Sequence, residues 1–504
     1  MVGAAAIGRT GADYLAALDD GRRVAIDGVR VDVVGSEPPF VGPARSVAGI
    51  IDLHHAEGER KTMTALAHDS GGPISRYYSL AVTPEEVALR GRCFEAVARS
   101  TGGLMGRSPD FLATLLASWR AAGEVFGRAD AAHARHLTSY YDYCADRTIC
   151  HTHAISDPPA DRVRAGGGEP LALRRVRRTS DGIVVSGMKM LATLAPLADE
   201  LLVYPFRPLA PGEEDKALVL ALPINTPGLR LVCRPPLADR GPVDQPLAAR
   251  FDEMDAVCVF DDVHVPAERV FIDGDVELAN MLRAETGMTS YLWHQSSVRA
   301  AVKAELMLGA ASLTVAMNGH RSEAAIEEKL GEMGAIVEAL RSLVTAGEAG
   351  ARRDRFGFYV PAASPLGASG VLFGQLYPRL VELLQLVGSS SLIMAPSAGD
   401  LDGPDAAALH DYLGADGEPG QRAVAIQRLA NELAISAFAG RQVLYERFFL
   451  GPPEMARRRY HQMSDLEPAE RLAAALLVES HSPVRQMKVE EECREPLPQS
   501  PSPS

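Results

Sequence analysis

The chain of 504 residues is 47% hydrophobic and 23% charged, an ordinary balance for two or three domains with sizeable cores. Its formal net charge of −14 argues against a nucleic-acid partner, because neutralising phosphates takes surplus Lys and Arg. Without a run of about 18 apolar residues, a signal peptide or a CxxC among six scattered cysteines, a reduced, cytoplasmic protein free of membrane and metal is expected.

Up to residue 150 the pattern is helical. "TPEEVALRGRCFEAVARSTGG" opens with Thr83 as N-cap, Pro84 at the first position and Glu86 three residues after Thr83, and closes on Gly102 and Gly103. "GRSPDF" (106–111) then ends one helix and opens the next, with Ser108 or Asp110 as the cap. That chemistry accounts for the turn and leaves Arg107 unexplained. "LATLLASWRAAGEVFG" and "ADAAHARHLTSYYDYCADRTIC" follow, rich in helix formers, and the Tyr140–Tyr143 run reads as helix surface and interface.

From 151 to 275 the texture changes to short β-branched runs such as "GIVVSGMKML", "ALVLALPI" and "AVCVFDDVHVP", split by Gly, Pro and Asp. No helix-length pattern separates them, so an antiparallel barrel or sandwich is expected rather than βαβ units. From 276 to 487 long apolar-periodic stretches return and predict a helical bundle, one of them running through "RAVAIQRLANELAISAFAGRQVLYERFF". The tail, 488–504, is rich in Pro, Ser and Glu and is expected to be disordered. The expected domains are thus 1–150, 151–275 and 276–487, followed by this tail.

GxGxxG after a strand, GxxxxGK[ST], HExxH and GxSxG are all missing. "AGGGEP" (165–170) reads as a flexible loop. In "CHTHAISDPPADR", His151 and His153 could pair on a metal, but no Cys or acidic partner clusters nearby, and a capped junction loop is the plainer reading. Thr193 marks a bend before a strand expected to end at Phe206 and Arg207. Ser436, Ala437, Ala439 and Gly440 are small residues that permit close approach, by another helix or by a flat ligand. His294, in "YLWHQ", reads as a satisfied core histidine.

Taken in order, "MGRSPDF", "THAISDPPADR", "GIVVSGMKMLAT", "PLADELLVYP", "ALVLALPINTPGL", "RFDEMDAVCVFDDVHVPAERVF", "LYPRL" and "GRQVLYERFF" resemble the oxygenase components of two-component 4-hydroxyphenylacetate 3-monooxygenases, over nearly the whole chain. The resemblance implies an α+β, acyl-CoA dehydrogenase-like fold: an N-terminal helical domain, a middle antiparallel β-barrel domain and a C-terminal four-helix bundle, as a homotetramer. It implies FAD in the cleft between barrel and bundle, supplied as FADH2 by a separate NAD(P)H:flavin reductase. With O2 as co-substrate, a flavin hydroperoxide would then deliver one oxygen ortho to a phenol hydroxyl.

The resemblance also assigns residues. Arg107 and His153 match the pair that contacts the phenol oxygen, and a histidine near its ordinary pKa of about 6.5 suits a general base. His153, Ala154, Ile155, Pro159, Ala160, Asp161, Arg162, Thr193, Ser436, Ala437, Phe438 and Ala439 match flavin contacts. At the substrate, Phe111 stands where members acting on 4-hydroxyphenylacetate carry Tyr, and Phe206 and Arg207 stand where they carry Ser-Thr. The expectation is therefore a different phenol, with Arg207 free to grip a carboxylate or phosphate. A dehydratase of the same superfamily would need three cysteines and a histidine for an iron–sulfur cluster, and the positions near Arg107, Phe111 and His294 hold no such cysteines. An acyl-CoA dehydrogenase-fold flavoprotein of other chemistry and a flavin-free binding protein are the remaining alternatives.

Overall fold

The computed structural model describes residues 7–159, 171–413 and 420–477. The expected tail at 488–504, and Ala160, Asp161 and Arg162, lie outside the described residues.

Local chemistry sets the helix ends. The Thr83 hydroxyl accepts the Glu86 N–H and starts Pro84–Thr101, while the Glu86 carboxylate takes the Val82 N–H instead of the cap's own. The helix stops at Gly102, whose φ of +61° is the left-handed cap conformation that glycine adopts without a Cβ clash. Pro109–Ala121 follows with Ser108 at the N-cap position, where its hydroxyl donates to Asp110 and makes no capping bond, and everything from Phe111 to Trp119 is buried. In Ala131–Arg147, Tyr140 and Tyr141 are buried, which corrects their expected place on the surface. Their hydroxyls donate inward, to the Glu200 carboxylate and to the Tyr78 carbonyl, and those bonds let polar rings be buried.

The strands up to residue 273 are β1 (Val24–Ile26), β2 (Val29–Val31), β3 (Thr64–Leu66), β4 (Pro73–Ser75), β5 (His151–Ala154), β6 (Arg174–Arg178), β7 (Gly182–Thr193), β8 (Glu200–Val203), β9 (Leu218–Pro223), β10 (Leu229–Cys233), β11 (Asp255–Pro266) and β12 (Val270–Asp273), and a short pair, Arg352–Arg353 with Tyr359–Val360, lies farther on. They form a six-stranded sheet, β2-β1-β10-β11-β7-β6, and a four-stranded sheet, β12-β9-β8-β5, besides the small pair β3-β4. Both larger sheets are open at their ends, and β1 runs parallel to β10 and β5 to β8. The expected antiparallel barrel is therefore two open sheets with a shared core that includes Val185, Leu201, Leu220, Leu231 and Val263. The N-terminal segment also joins the larger sheet, through a hairpin whose turn puts Asp27 and Gly28 at positive φ.

The chain then returns to helix. Met288–Met317, Ala324–Ala349, Ala363–Gly388 and Gly420–Ala434 pack as a four-helix bundle. The stretch expected as one helix through residue 449 breaks at Ser436, whose hydroxyl accepts the Ala439 N–H and caps a second helix, Ala437–Phe448. Met288–Met317 is long and apolar enough to cross a membrane by length and composition, although Arg299, Lys303 and Glu305 interrupt its apolar run. It lies inside the protein, with Arg299 and Lys303 buried at its middle against Glu446.

Candidate active site

A cavity of about 520 Å³ opens where the three parts of the chain meet. Arg107 and Phe111 come from the start of Pro109–Ala121, His153 and Ile155 from β5 and its exit, and Tyr204 and Phe206 from just beyond β8. Arg283, Trp293, Phe449 and Arg459 close it from the helical side. Sequence-distant groups converge here because β5 and β8 pair in register, His153 opposite Leu202, which carries Tyr204 to the same end.

Arg107 sits one residue before the helix cap. Its backbone N–H donates to Glu253 Oε1 at 2.6 Å, which fixes the turn. Its guanidinium carbon lies 4.3 Å from the ring centres of both Phe111 and Phe449. Among the described residues its buried Nε has no partner, and Nη1 reaches only the Gly106 carbonyl, at 3.4 Å. Two aromatic faces thus hold a cation in place without neutralising it.

His153 is buried, and its Nδ1 shares a 2.8 Å hydrogen bond with the Tyr204 hydroxyl. Burial, and then the charges of Arg107 and Arg283, push its pKa well below the ordinary value. The near-ordinary histidine expected from the sequence is corrected to one held neutral. Tyr204 is pushed up to about 12, chiefly by burial. Phe111 meets the His153 ring edge-on, with centres 6.2 Å apart.

Phe206 lines the cavity, and Arg207 does not. The Arg207 guanidinium is 45% exposed and donates to both oxygens of Glu213, at 2.9 and 2.6 Å, and to Asp157 at 3.3 Å. Those carboxylates hold the cation that the sequence reading left free for substrate. Ala154 is buried in β5 and Pro159 is exposed. Thr193 and Ser436–Ala439 lie outside the cavity lining but are linked to each other. The Thr193 hydroxyl donates to Asp255 Oδ1 at 2.8 Å, and Asp255 accepts both Nε and Nη2 of Arg441, at 2.9 Å each, from the helix that Ser436 caps. His294 is a core residue bonded to Glu348.

Sequence reasoning missed Tyr204, Glu253, Arg283, Phe449 and Arg459. For Tyr204 a signal existed: an aromatic hydroxyl directly after the apolar run "LLV" has to find a buried partner. Arg283 and Arg459 carry no such mark in the sequence.

Residues 10–272 match the family model described as "4-hydroxyphenylacetate 3-hydroxylase N terminal", and residues 279–478 match its "C terminal" counterpart. The chain belongs to this family. It is 36% identical to the 4-hydroxyphenylacetate 3-monooxygenase oxygenase component of Thermus thermophilus, over 94% of this chain and 98% of that relative. It is 35% identical to the pyoverdin chromophore biosynthetic protein PvcC of Pseudomonas aeruginosa, over 89% and 90% of the two chains. Among solved structures, an oxygenase component of 4-hydroxyphenylacetate 3-monooxygenase complexed with FAD and 4-hydroxyphenylacetate superposes with a TM-score of 0.88 at 35% identity. That match covers 96% of this chain and 100% of the other.

Proposed function

We propose that this chain is the oxygenase component of a two-component, FADH2-dependent aromatic monooxygenase that hydroxylates a phenol ortho to its hydroxyl. The observation that carries this is one cavity holding a cation, Arg107, that has no ion pair among the described residues, beside a neutral histidine, His153. A phenol with a pKa near 10 is only about 0.1% ionised at pH 7 and is a poor nucleophile in that form. Arg107 favours the phenolate, each pKa unit so recovered being about 1.4 kcal/mol. His153 has Nδ1 engaged with Tyr204, which leaves Nε2 for the phenol. To take the proton there, Nδ1 must carry its hydrogen and donate to the Tyr204 oxygen.

The residues fit a flat cofactor. Phe111, Trp293 and Phe449 give the cavity aromatic walls, and the Arg107 Nε and Tyr445 hydroxyl are buried without partners. Ile155 would hold the ring of FAD at the wall. Thr193 keeps acceptor capacity beyond its bond to Asp255 and, with the Ser436–Ala439 turn, would serve the more distant part. When bound, reduced FAD from a separate reductase supplies the activation of O2. The residues around it bind the phenol, shed water and place the proton. The substrate is a phenol other than 4-hydroxyphenylacetate, since Phe206 and Phe111 offer no hydroxyl to it. A cytoplasmic homotetramer completes the reading.

The test is a panel of phenols with a generic flavin reductase, NADH and O2, with catechols and hydrogen peroxide both measured. Catechol from wild type, and peroxide in its place from Arg107→Ala with flavin binding retained, is the expected outcome. Wild-type hydroxylation by Arg107→Ala would count against the assignment, and no catechol from any phenol would sink it.

A further inference from the structure

Among the described residues, three arginines and no carboxylate line the cavity. Arg107 is placed by the aromatic rings already described. Arg283, on Val276–Glu285, has neither a hydrogen bond nor an ion pair among the described residues, and Arg459, on Pro453–Met463, donates only to the Leu450 carbonyl, at 3.3 Å. Both are held below the ordinary arginine range, by burial first and, for Arg459, then by the charge of Arg283. Two like charges facing one half-enclosed space repel each other, and among the described residues no acid lines it to relieve them. By contrast, Arg207 outside the cavity is closed by Glu213 and Asp157. Asn280 is also spoken for, giving its amide to the Leu209 carbonyl and accepting the Leu209 N–H. The Arg459 guanidinium lies 5.9 Å from the Phe206 ring centre, so the Arg283–Arg459 side carries the aromatic that narrows this part of the cavity.

We propose that Arg283 and Arg459 form the anion subsite of the cavity and hold a carboxylate or phosphate oxyanion on the phenolic substrate, making them its specificity-determining residues. The proposal rests on the phenol reading above. Guanidinium forks match the two oxygens of either group, and a partly desolvated cation pair strengthens the contact. The oxyanion comes either from a free acid or from the phosphate of a pantetheine-type thioester.

The experiment measures binding by calorimetry and kcat/KM, on full-length protein with and without FAD. The probes are 3-(4-hydroxyphenyl)propanoate, its neutral methyl ester and its phosphopantetheine thioester. Wild type should bind at least one of the two anionic probes about tenfold or more tighter than the ester, and the preferred one identifies the source of the anion. Arg283→Gln and Arg459→Gln should each remove that preference while leaving ester binding within about twofold, and Arg207→Gln should keep the preference. Equal wild-type affinity for ester and both anions overturns the proposal, as does equal weakening of ester and anion by the two variants. If the variants lose FAD affinity and keep the anion preference, the cations serve the cofactor and the proposal fails. Catechol formation without any anion preference defeats only the subsite, whereas no binding or turnover of any probe defeats the phenol reading with it.

Discussion

His153 shows how burial decides what a residue can do. A histidine with an ordinary pKa would be about half protonated near pH 6.5, and a base in that state loses activity as soon as the medium turns mildly acidic. His153 is held neutral by burial and by two nearby arginines, so it stays able to accept a proton at lower pH. The acidic limb of kcat/KM, measured with saturating reduced FAD, should therefore lie well below pH 6.5 and vanish in His153→Asn. A wild-type limb centred at 6.5 would mean that the titrating base is another group. This environment was not legible in "CHTHAISDPPADR", because Tyr204 and Arg283, which create it, lie 51 and 130 residues away. Arg107 was legible as an anomaly: nothing in its turn needed a cation. Arg207 misled for the converse reason, since Glu213, six residues on, closes it and nothing in the local pattern says which way the acid points.

Among elements, Met288–Met317 holds the site together from behind. Its Arg299 and Lys303 are one turn apart and meet Glu446 of Ala437–Phe448, with Arg299 at 2.6 and 2.8 Å and Lys303 at 2.6 Å. Burial alone would raise the Glu446 carboxyl, yet the two cations hold it down to about 2. Arg299 also lies 4.6 Å from the centre of Phe449, the ring that flanks Arg107. Glu446→Gln would strand two buried cations and should cost about 3–5 kcal/mol in urea unfolding. Glu305→Gln, at an exposed pair with Arg99 and Arg341, should cost no more than about 1 kcal/mol. Comparable losses in the two variants would show the triad to be energetically ordinary. Capping chemistry made the helix ends readable at Thr83 and Gly102. The break at Ser436 and the hairpin at "IDGV" carried equally local signals, a serine cap and an Asp-Gly turn, that the longer apolar periodicity and the helical surroundings concealed. Whether the strands closed into a barrel was not local at all, because it depends on β5 reaching β8 across the intervening β6 and β7.

Across the whole molecule, histidines are buried in a neutral state in each part. His54 in the N-terminal helices is lowered to about 4 and His151 in β5 to about 3, chiefly by burial, and His153 and His294 are lowered as well. The sign follows from which state binds protons. Below about pH 6.5 the unfolded chain protonates these histidines and the folded chain does not, so stability falls as pH falls, until each folded-state pKa is reached. Asp110, Glu200, Glu253 and Glu432 act in the opposite sense, because burial raises their carboxyls and the folded state then binds protons first. Overall acid sensitivity thus mixes two opposed contributions, and one substitution separates them. His151 shares a long 3.4 Å contact with the Tyr78 hydroxyl, and its Nε2 has no partner among the described residues, so its replacement disturbs few strong bonds. His151→Gln removes one titrating group while leaving the carboxyls in place. Its unfolding free energy should trail wild type by a fixed amount above about pH 7. Between about pH 6.5 and 4 that gap should narrow by up to about 1.4 kcal/mol per pH unit, because only wild type continues to lose the histidine contribution. Urea unfolding of both proteins across this range reads the gap directly, and a difference independent of pH would mean that His151 titrates alike in the folded and unfolded chain.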